Sequence, residues 1–208
     1  MTVLFLKTAT ENDENLIKIG LSDGSSLSLK PCYLNDYCEN PASWEEGREI
    51  SSLEERTLRF AAACYRAERA GMRLVSRAEQ TSTGLARKLE RRGYDSDCVS
   101  AVISRFLDLD LVNNGRYAER WLRSRLARRG GKVPSPRRLS ADLANRGIER
   151  DTAASSLKET LDIETEWALL QRFIAQNFPD GDSEGFSLRG RLKFEGFSSS
   201  VLRRWFED

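Results

Sequence analysis

Leu85-Ala86-Arg87-Lys88-Leu89-Glu90-Arg91-Arg92-Gly93-Tyr94 is the stretch of sequence that decides the fold. It follows a pattern of Leu-x3-Leu-x3-Gly with an aromatic or aliphatic residue after the glycine. The pattern occurs twice more, at Leu139, Leu143, Gly147 and Ile148, and at Leu188, Leu192, Gly196 and Phe197. The copies are about 50 residues apart, and repetition at such a period indicates an array of one supersecondary unit.

Each copy is typical of the end of a helix. Leu85 and Leu89 are four residues apart and therefore share one helical face, and Gly93 stands where a left-handed residue would end the helix. Tyr94 would fold back on that end, and Asp95 or Ser96 could begin the next helix. In the other two copies the residues expected to cap the next helix are Asp151 and Ser198. Because an apolar helical stretch also precedes each copy, the sequence predicts three tandem units of three helices that stack on one another.

The N-terminal part of the chain alternates in the manner of short β-strands. Apolar runs at residues 3–7, 16–19 and 27–29, with a glycine-containing turn at 22–25, predict a small antiparallel β segment. Residues 31–50 suggest a linker with a short helix at most. After it, Ser51-x-x-Glu54 and Ser52-x-x-Glu55 both have the form of a capping box, and Gly71 leaves open whether one bent helix or two helices follow.

These patterns predict four segments along the chain. We expect a small β segment and linker at residues 1–50, followed by helical repeats at 51–112, 113–160 and 161–208. The predicted fold class is therefore mainly α, with an antiparallel β segment in front of the repeats.

The composition excludes several classes of function. The chain of 208 residues has no histidine, which removes histidine bases, Ser-His and Cys-His nucleophile pairs and most metal-ligand sets. Its four cysteines form no CxxC pair, and no glycine-rich phosphate loop is present. We therefore expect no catalytic residues, no metal and no cofactor, and a protein that is not an enzyme. Scattered free thiols, no apolar run of ~20 residues and no basic signal region predict a cytoplasmic protein.

The net charge of +1 hides a strong asymmetry along the chain. Residues 1–55 and 151–208 are acidic on balance, whereas residues 115–150 contain 11 basic and 3 acidic side chains. On the helix expected from residue 114 to 129, Arg116, Arg120 and Arg123 fall within about 60° of one another, opposite the apolar positions. Arg125 and Arg129 fall on the apolar side, where packing or ion pairs could use them.

Further cations follow in and around the Gly-Gly and Pro-Ser-Pro loop of this segment: Arg128, Lys132, Arg137 and Arg138. Two interpretations are open. The arginines form an ordinary solvated face, or they contact a polyanion or an acidic protein, which the scarcity of interleaved acids favours. The segment lacks the aromatic platform of RNA-binding modules, so a contact with DNA would follow the backbone rather than read bases.

At these residues the sequence resembles the RecX family, the bacterial regulatory proteins of the RecA recombinase. The family's first-repeat signature is matched at residues 73–81, Leu85-Ala86-Arg87-Lys88-Leu89 and Arg92-Gly93-Tyr94. Its second-repeat signature is matched at Arg116-Tyr117-Ala118, Asp142-Leu143 and Arg146-Gly147-Ile148. Its third-repeat signature is matched at Leu192 and Gly196-Phe197. The similarity covers the chain from about Glu68 to Asp208. Where the family usually has an acidic pair before Arg-Tyr-Ala, this chain has Asn113-Asn114.

The resemblance implies that the three repeats form an elongated, curved molecule. It also implies binding to RecA, within the groove of the RecA–DNA filament, and restraint of filament growth and recombinase activity. The basic second repeat would then meet acidic RecA surface, exposed DNA backbone, or both. The residues expected to do so are Arg116, Arg120, Arg123, Arg128, Lys132, Arg137 and Arg138. A monomer that inhibits by stoichiometric binding is the leading hypothesis, and a protein that competes for DNA by tracking its backbone is the alternative.

Overall fold

The computed structural model describes residues 3–9, 16–35, 38–179 and 188–207, with the backbone alone for 3–9. The chain divides into two compact units. Unit 1 contains Met1–Glu79 and Leu85–Val112, and unit 2 contains Gln80–Gly84 and Asn113–Asp208. Each unit has a hydrophobic core of its own.

Unit 1 begins with a three-stranded antiparallel sheet in the order β1 (Val3–Ala9), β2 (Leu16–Leu21), β3 (Ser26–Leu29). Ile17 pairs with Leu29 and Ile19 with Leu27, and all four side chains are buried. The tight turn between β2 and β3 is closed by a hydrogen bond of 2.9 Å from the Leu21 N–H to the Ser25 carbonyl. The antiparallel β segment is confirmed. It is too small to be stable alone, and its apolar face instead packs into the core of the unit.

The segment suggested as a linker contributes to this core. It contains two single-turn 3-10 helices, at Pro31–Tyr33 and Pro41–Ser43. Tyr33, Trp44 and Ile50 are buried among the helices and strands of unit 1. The chain between sheet and helices is therefore held by packing.

The helices that follow in the first part of the chain are α1 (Ser52–Val75), α2 (Ser82–Glu90) and α3 (Ser96–Asp108). Of the two possible capping boxes, the structure contains the first: the Glu54 N–H donates to Ser51 and the Ser51 N–H donates to the Glu54 carboxylate. The helix then continues through Gly71 without a break. A Cβ on Gly71 would lie 2.9 Å from the ring of Phe106, so the glycine permits α1 and α3 to pack closely.

A buried charged cluster joins the sheet region to these helices. The carboxylate of Glu68 accepts hydrogen bonds from Lys30 Nζ at 2.8 Å and from Tyr33 Oη at 2.6 Å, and Arg105 Nε lies 3.6 Å away. Burial, together with the bond to Glu68, raises the pKa of the Tyr33 phenol well above its ordinary value. Glu68 is only 7% exposed, and its buried charge would be strongly destabilising without these hydrogen bonds and counter-charges.

The remaining helices are α4 (Asn114–Ala127), α5 (Pro136–Ala144), α6 (Arg150–Thr160), α7 (Ile163–Asn177), α8 (Leu188–Phe194) and α9 (Ser199–Glu207). The mainly helical fold is confirmed. The expectation for the three pattern glycines is also confirmed: Gly93, Gly147 and Gly196 follow α2, α5 and α8 with φ of +84°, +78° and +88°. The division into three repeats, the four segment boundaries and the elongated shape stay predictions.

The starts of α6 and α9 differ in how well the sequence predicts them. Asp151 is not the cap of α6, so that prediction is wrong. The capping position is Glu149, whose side chain makes no cap hydrogen bond, and Asp151 lies in the first turn. The helix begins earlier than predicted because its capping position follows Ile148 directly. In the first turn, Asp151 still lies near the positive end of the helix dipole, where an acid is favourable. Ser198 does precede α9, and its hydroxyl accepts from the Val201 N–H at 3.5 Å.

Unit 2 is closed around one core by contacts between helices far apart in the chain. Leu122, Leu139, Leu143, Leu170 and Leu192 are fully buried in it. None of the helices in the described parts of the chain is long and apolar enough to cross a membrane.

Candidate partner-binding surface

The seven cations singled out from the sequence all lie in unit 2. We call them the basic set: Arg116, Arg120, Arg123, Arg128, Lys132, Arg137 and Arg138. The first three are on α4, Arg128 is its C-cap, Lys132 is in the α4–α5 loop, and the last two are in the first turn of α5.

On α4 the apolar positions face inward and the arginines face outward. Ala118 and Leu122 are fully buried, whereas Arg120 and Arg123 are exposed and Arg116 is half-buried. The helix begins at Asn113, whose side-chain oxygen accepts from the Arg116 N–H at 2.9 Å. An asparagine at the position of the family's acidic pair thus caps the helix that carries the arginines.

Two members of the basic set form ion pairs within their own helices. Arg123 Nη2 is 3.1 Å from a carboxylate oxygen of Glu119, and Arg138 Nε is 3.2 Å from Asp142. The two arginine side chains are 67% and 68% exposed, so the pairs are solvated and weak. Both guanidinium groups remain accessible to a partner.

The loop between α4 and α5 is held in place by α7. Arg172 donates to the carbonyls of Leu126 at 3.2 Å and Arg128 at 2.8 Å, at the C-terminal end of α4. Gln176 accepts from the Val133 N–H at 2.6 Å and donates to the Gly131 carbonyl at 3.2 Å. The backbone on both sides of Lys132 is therefore fixed by two side chains of one helix.

The start of α5 is held by the last residue of α8 and by Glu195, which follows it. Ser135 caps α5, and its hydroxyl also bonds the carboxylate of Glu195. The Arg137 N–H donates to the Glu195 carbonyl at 2.9 Å, and the Arg137 guanidinium lies 3.9 Å from the ring centroid of Phe194. The exposed arginines of α5 thus stand beside an exposed aromatic ring.

A cleft of about 1190 Å³ opens between the α4–α5 loop, α7 and α8. We call it the unit 2 cleft. Its charged and aromatic lining includes Arg125, Lys132, Arg138, Arg191, Phe178 and Phe194. Among the described residues, the carboxylates of Asp142 and Glu195 also line it, and both are engaged by protein groups as described above.

The structure brings only part of the basic set to this cleft, namely Lys132 and Arg138. The lining also includes residues outside the basic set. For Arg125 the sequence suggests packing or ion pairs, and Arg191 and Phe194 belong to a segment that is acidic on balance. The net charge of the C-terminal segment concealed Arg191, because composition is averaged along the chain. Only the packing of α8 beside α5 shows it.

The described residues contain no cluster of carboxylates and thiols able to hold a metal ion. Cys38, Cys64 and Cys98 are buried and Cys32 is exposed. Burial raises the pKa of the Cys64 and Cys98 thiols, which keeps them protonated and unreactive.

No protein-family model matches the chain. Curated relatives are nevertheless found, each named regulatory protein RecX. One from a Mycobacterium species (strain KMS) is 30% identical over 172 residues, which cover 78% of this chain and 87% of the relative. One from Halorhodospira halophila is 32% identical over 140 residues, 64% of this chain and 82% of the relative.

Solved structures agree on the fold. A crystal structure of regulatory protein RecX aligns with a TM-score of 0.67 at 15% identity, covering 100% of this chain and 99% of that chain. RecX from Lactobacillus salivarius aligns with a TM-score of 0.52 at 21% identity, over 71% of this chain. On the strength of the sequence relatives, this chain belongs to the RecX family of regulatory proteins.

Proposed function

We propose that the protein is a non-enzymatic, cytoplasmic regulator of the RecA recombinase, which binds the RecA–DNA filament as a monomer and restrains its growth, ATP hydrolysis and recombination activity. In this way it modulates DNA repair. Family membership supports RecA as the partner. The basic set supports the mode of action, because a row of exposed arginines suits a negatively charged polymer.

The observation that carries the proposal is the way in which unit 2 presents its cations. Arg120 and Arg123 are exposed on a helix whose opposite face is fully buried, so they cannot turn inward without unfolding the unit. The loop with Lys132 is fixed by Arg172 and Gln176. A fixed backbone keeps these cations on one surface, so binding orders fewer degrees of freedom than it would on a mobile loop.

The test is inhibition of ATP hydrolysis by RecA on single-stranded DNA. The double variant Arg120→Glu and Arg123→Glu should need a concentration at least about tenfold higher for the same inhibition. The reason is that the new glutamates would repel a negatively charged partner. The matched control is Arg66→Glu with Arg69→Glu, two exposed arginines at the same spacing on α1. This control has the same net charge as the test variant, and it should inhibit RecA as strongly as the parent protein does. Equal inhibition by both double variants would contradict the role of the basic set.

A second candidate function is competition for DNA alone, which the same exposed cations favour. Binding to bare DNA would then be tight, and the logarithm of its affinity would fall with that of the salt concentration by about 0.7 to 0.9 per neutralised phosphate. The decisive comparison is made at a salt concentration that abolishes binding to bare DNA. Retained binding to the RecA–DNA filament at that salt excludes simple competition, and its loss supports it.

A further inference from the structure

Cations outnumber carboxylates among the described residues that line the unit 2 cleft. In the part of the chain that the structure describes, its cations are Arg125, Lys132, Arg138 and Arg191, and its carboxylates are the two already described. Arg125 is anchored to the loop, since its guanidinium donates to the Lys132 carbonyl at 3.3 Å. An acidic ligand would therefore enter a site whose cations stand on four different elements, namely α4, the α4–α5 loop, α5 and α8.

The cleft is also apolar. Phe173 is buried at its base, with its ring 6.3 Å from that of Phe178 and 5.4 Å from that of Phe197. Phe194 is 66% exposed at the rim, where its ring contacts the Arg137 guanidinium. A large exposed ring next to a cavity is a feature of protein-binding sites, whose buried centres are enriched in aromatic residues and arginine.

We propose that the unit 2 cleft binds an acidic peptide segment of the partner protein, with one hydrophobic side chain of that segment seated among the phenylalanines. The inference deepens the proposed function and rests on it, because it names the chemical class of the segment by which the partner is held. The acidic side chains of the segment lie against Lys132 and Arg191, and its apolar side chain lies against Phe178 and Phe194.

The lining favours a peptide over a nucleic-acid strand. Asp142 and Glu195 would repel a continuous run of phosphates, whereas a peptide can space its carboxylates between them. The neighbouring rings of Phe173 and Phe178 are tilted by 55° and do not form the parallel platforms on which successive bases stack.

The experiment measures fluorescence anisotropy with defined probes and without RecA. The probe is a fluorescein-labelled peptide in which aspartate and glutamate alternate with glycine around a single central phenylalanine. The two comparison probes are the same peptide with serine in place of the phenylalanine, and a labelled oligothymidylate. The variants are Lys132→Glu with Arg191→Glu, Phe194→Ala, and the control Arg66→Glu with Arg69→Glu; circular dichroism checks that each is folded.

The phenylalanine peptide should bind the parent and the control equally, and the charge variant at least about tenfold more weakly. Phe194→Ala should weaken the phenylalanine peptide and leave the serine peptide unchanged. Equal peptide binding by parent and charge variant overturns the proposal, as does no peptide binding at all. A cleft that binds the oligothymidylate and not the peptide is a nucleic-acid site, which also overturns it. None of these results depends on RecA, so inhibition of its ATP hydrolysis tests the proposed function separately.

Discussion

Gly147 and Thr83 approach so closely that a Cβ added to Gly147 would overlap the Cβ of Thr83. The Thr83 hydroxyl also donates to the Gly147 carbonyl at 3.2 Å. The glycine that follows α5 therefore has two requirements, a left-handed backbone and the absence of a side chain. Gly93, at the same place in the sequence pattern, meets nothing within 4 Å.

Alanine substitution should separate these two requirements. Gly93→Ala should lower the free energy of unfolding by about 1 kcal/mol, the usual cost of a left-handed alanine. Gly147→Ala should lower it by roughly 3 kcal/mol, because the overpacking against Thr83 is added to the same backbone strain. Urea unfolding followed by circular dichroism measures both. Equal losses would show that Thr83 moves aside freely.

Replacing Glu68 by glutamine should strongly destabilise unit 1. The substitution leaves the buried ammonium of Lys30 without its counter-charge, and breaking such a pair costs about 3–5 kcal/mol. Glu55→Gln on the same helix breaks only the partly exposed pair with Arg59 and should cost less than about 1 kcal/mol. Urea denaturation of the two variants provides the comparison, and similar midpoints would rule out a structural role for the Glu68 cluster.

The capping box at the start of α1 should give a pH-dependent contribution to stability. Hydrogen bonds from Ser51 hold the pKa of Glu54 below its ordinary value of 4.5. A carboxyl whose pKa is lower in the folded state stabilises the fold above the unfolded pKa and loses that contribution as the pH falls through the folded pKa. Glu54→Gln, which removes the charge that the Ser51 N–H stabilises, should therefore destabilise the protein at pH 7 and lose most of that effect below about pH 4.5. Ser51→Ala keeps this N–H and should cost about 1 kcal/mol at both pH values, as urea unfolding at pH 7 and pH 4 can measure.

Ser52 is the matched control for this cap, since the sequence offers the same box one residue later. Ser52→Ala should leave the unfolding free energy within about 0.5 kcal/mol of the parent at both pH values. A larger loss for Ser52→Ala than for Ser51→Ala would place the start of the helix one residue further on.

Gln176 should control the order of the α4–α5 loop. Gln176→Leu removes both hydrogen bonds to the loop and leaves the Val133 N–H without its acceptor, which costs about 1–3 kcal/mol. We expect trypsin to cleave after Lys132 several times faster than in the parent. Gln171→Leu, at an exposed position of the same helix, should not change the rate. Unchanged cleavage in both variants would mean that Arg172 alone fixes the loop.

The sequence predicts the features that depend on neighbouring residues. In the first copy of the leucine pattern, Leu85 and Leu89 are four residues apart and fully buried, as predicted. The glycine of each of the three copies adopts the left-handed conformation. Both follow from helix geometry, which acts over one or two turns. The alternation around Ile17 and Ile19 predicts the sheet for the same reason.

What the sequence could not predict depends on contacts between distant elements. Arg172 and Gln176 lie more than forty residues from the loop that they hold. Arg191 stands in an acidic segment, and only the folded chain places it beside Lys132 in one cleft. The sequence does not distinguish Glu149 from Asp151 as the cap of α6, because an acid suits both the capping position and the first turn.

Gly71 limits how this protein can be made more heat-resistant. Exchanging a mid-helix glycine for alanine is a standard stabilising change, since alanine is about 1 kcal/mol the better helix former. Here the added methyl group would collide with the ring of Phe106 at 2.9 Å, so the benefit to α1 would be offset by its separation from α3. Engineering at this site requires a coupled exchange, in which a smaller residue replaces the phenylalanine.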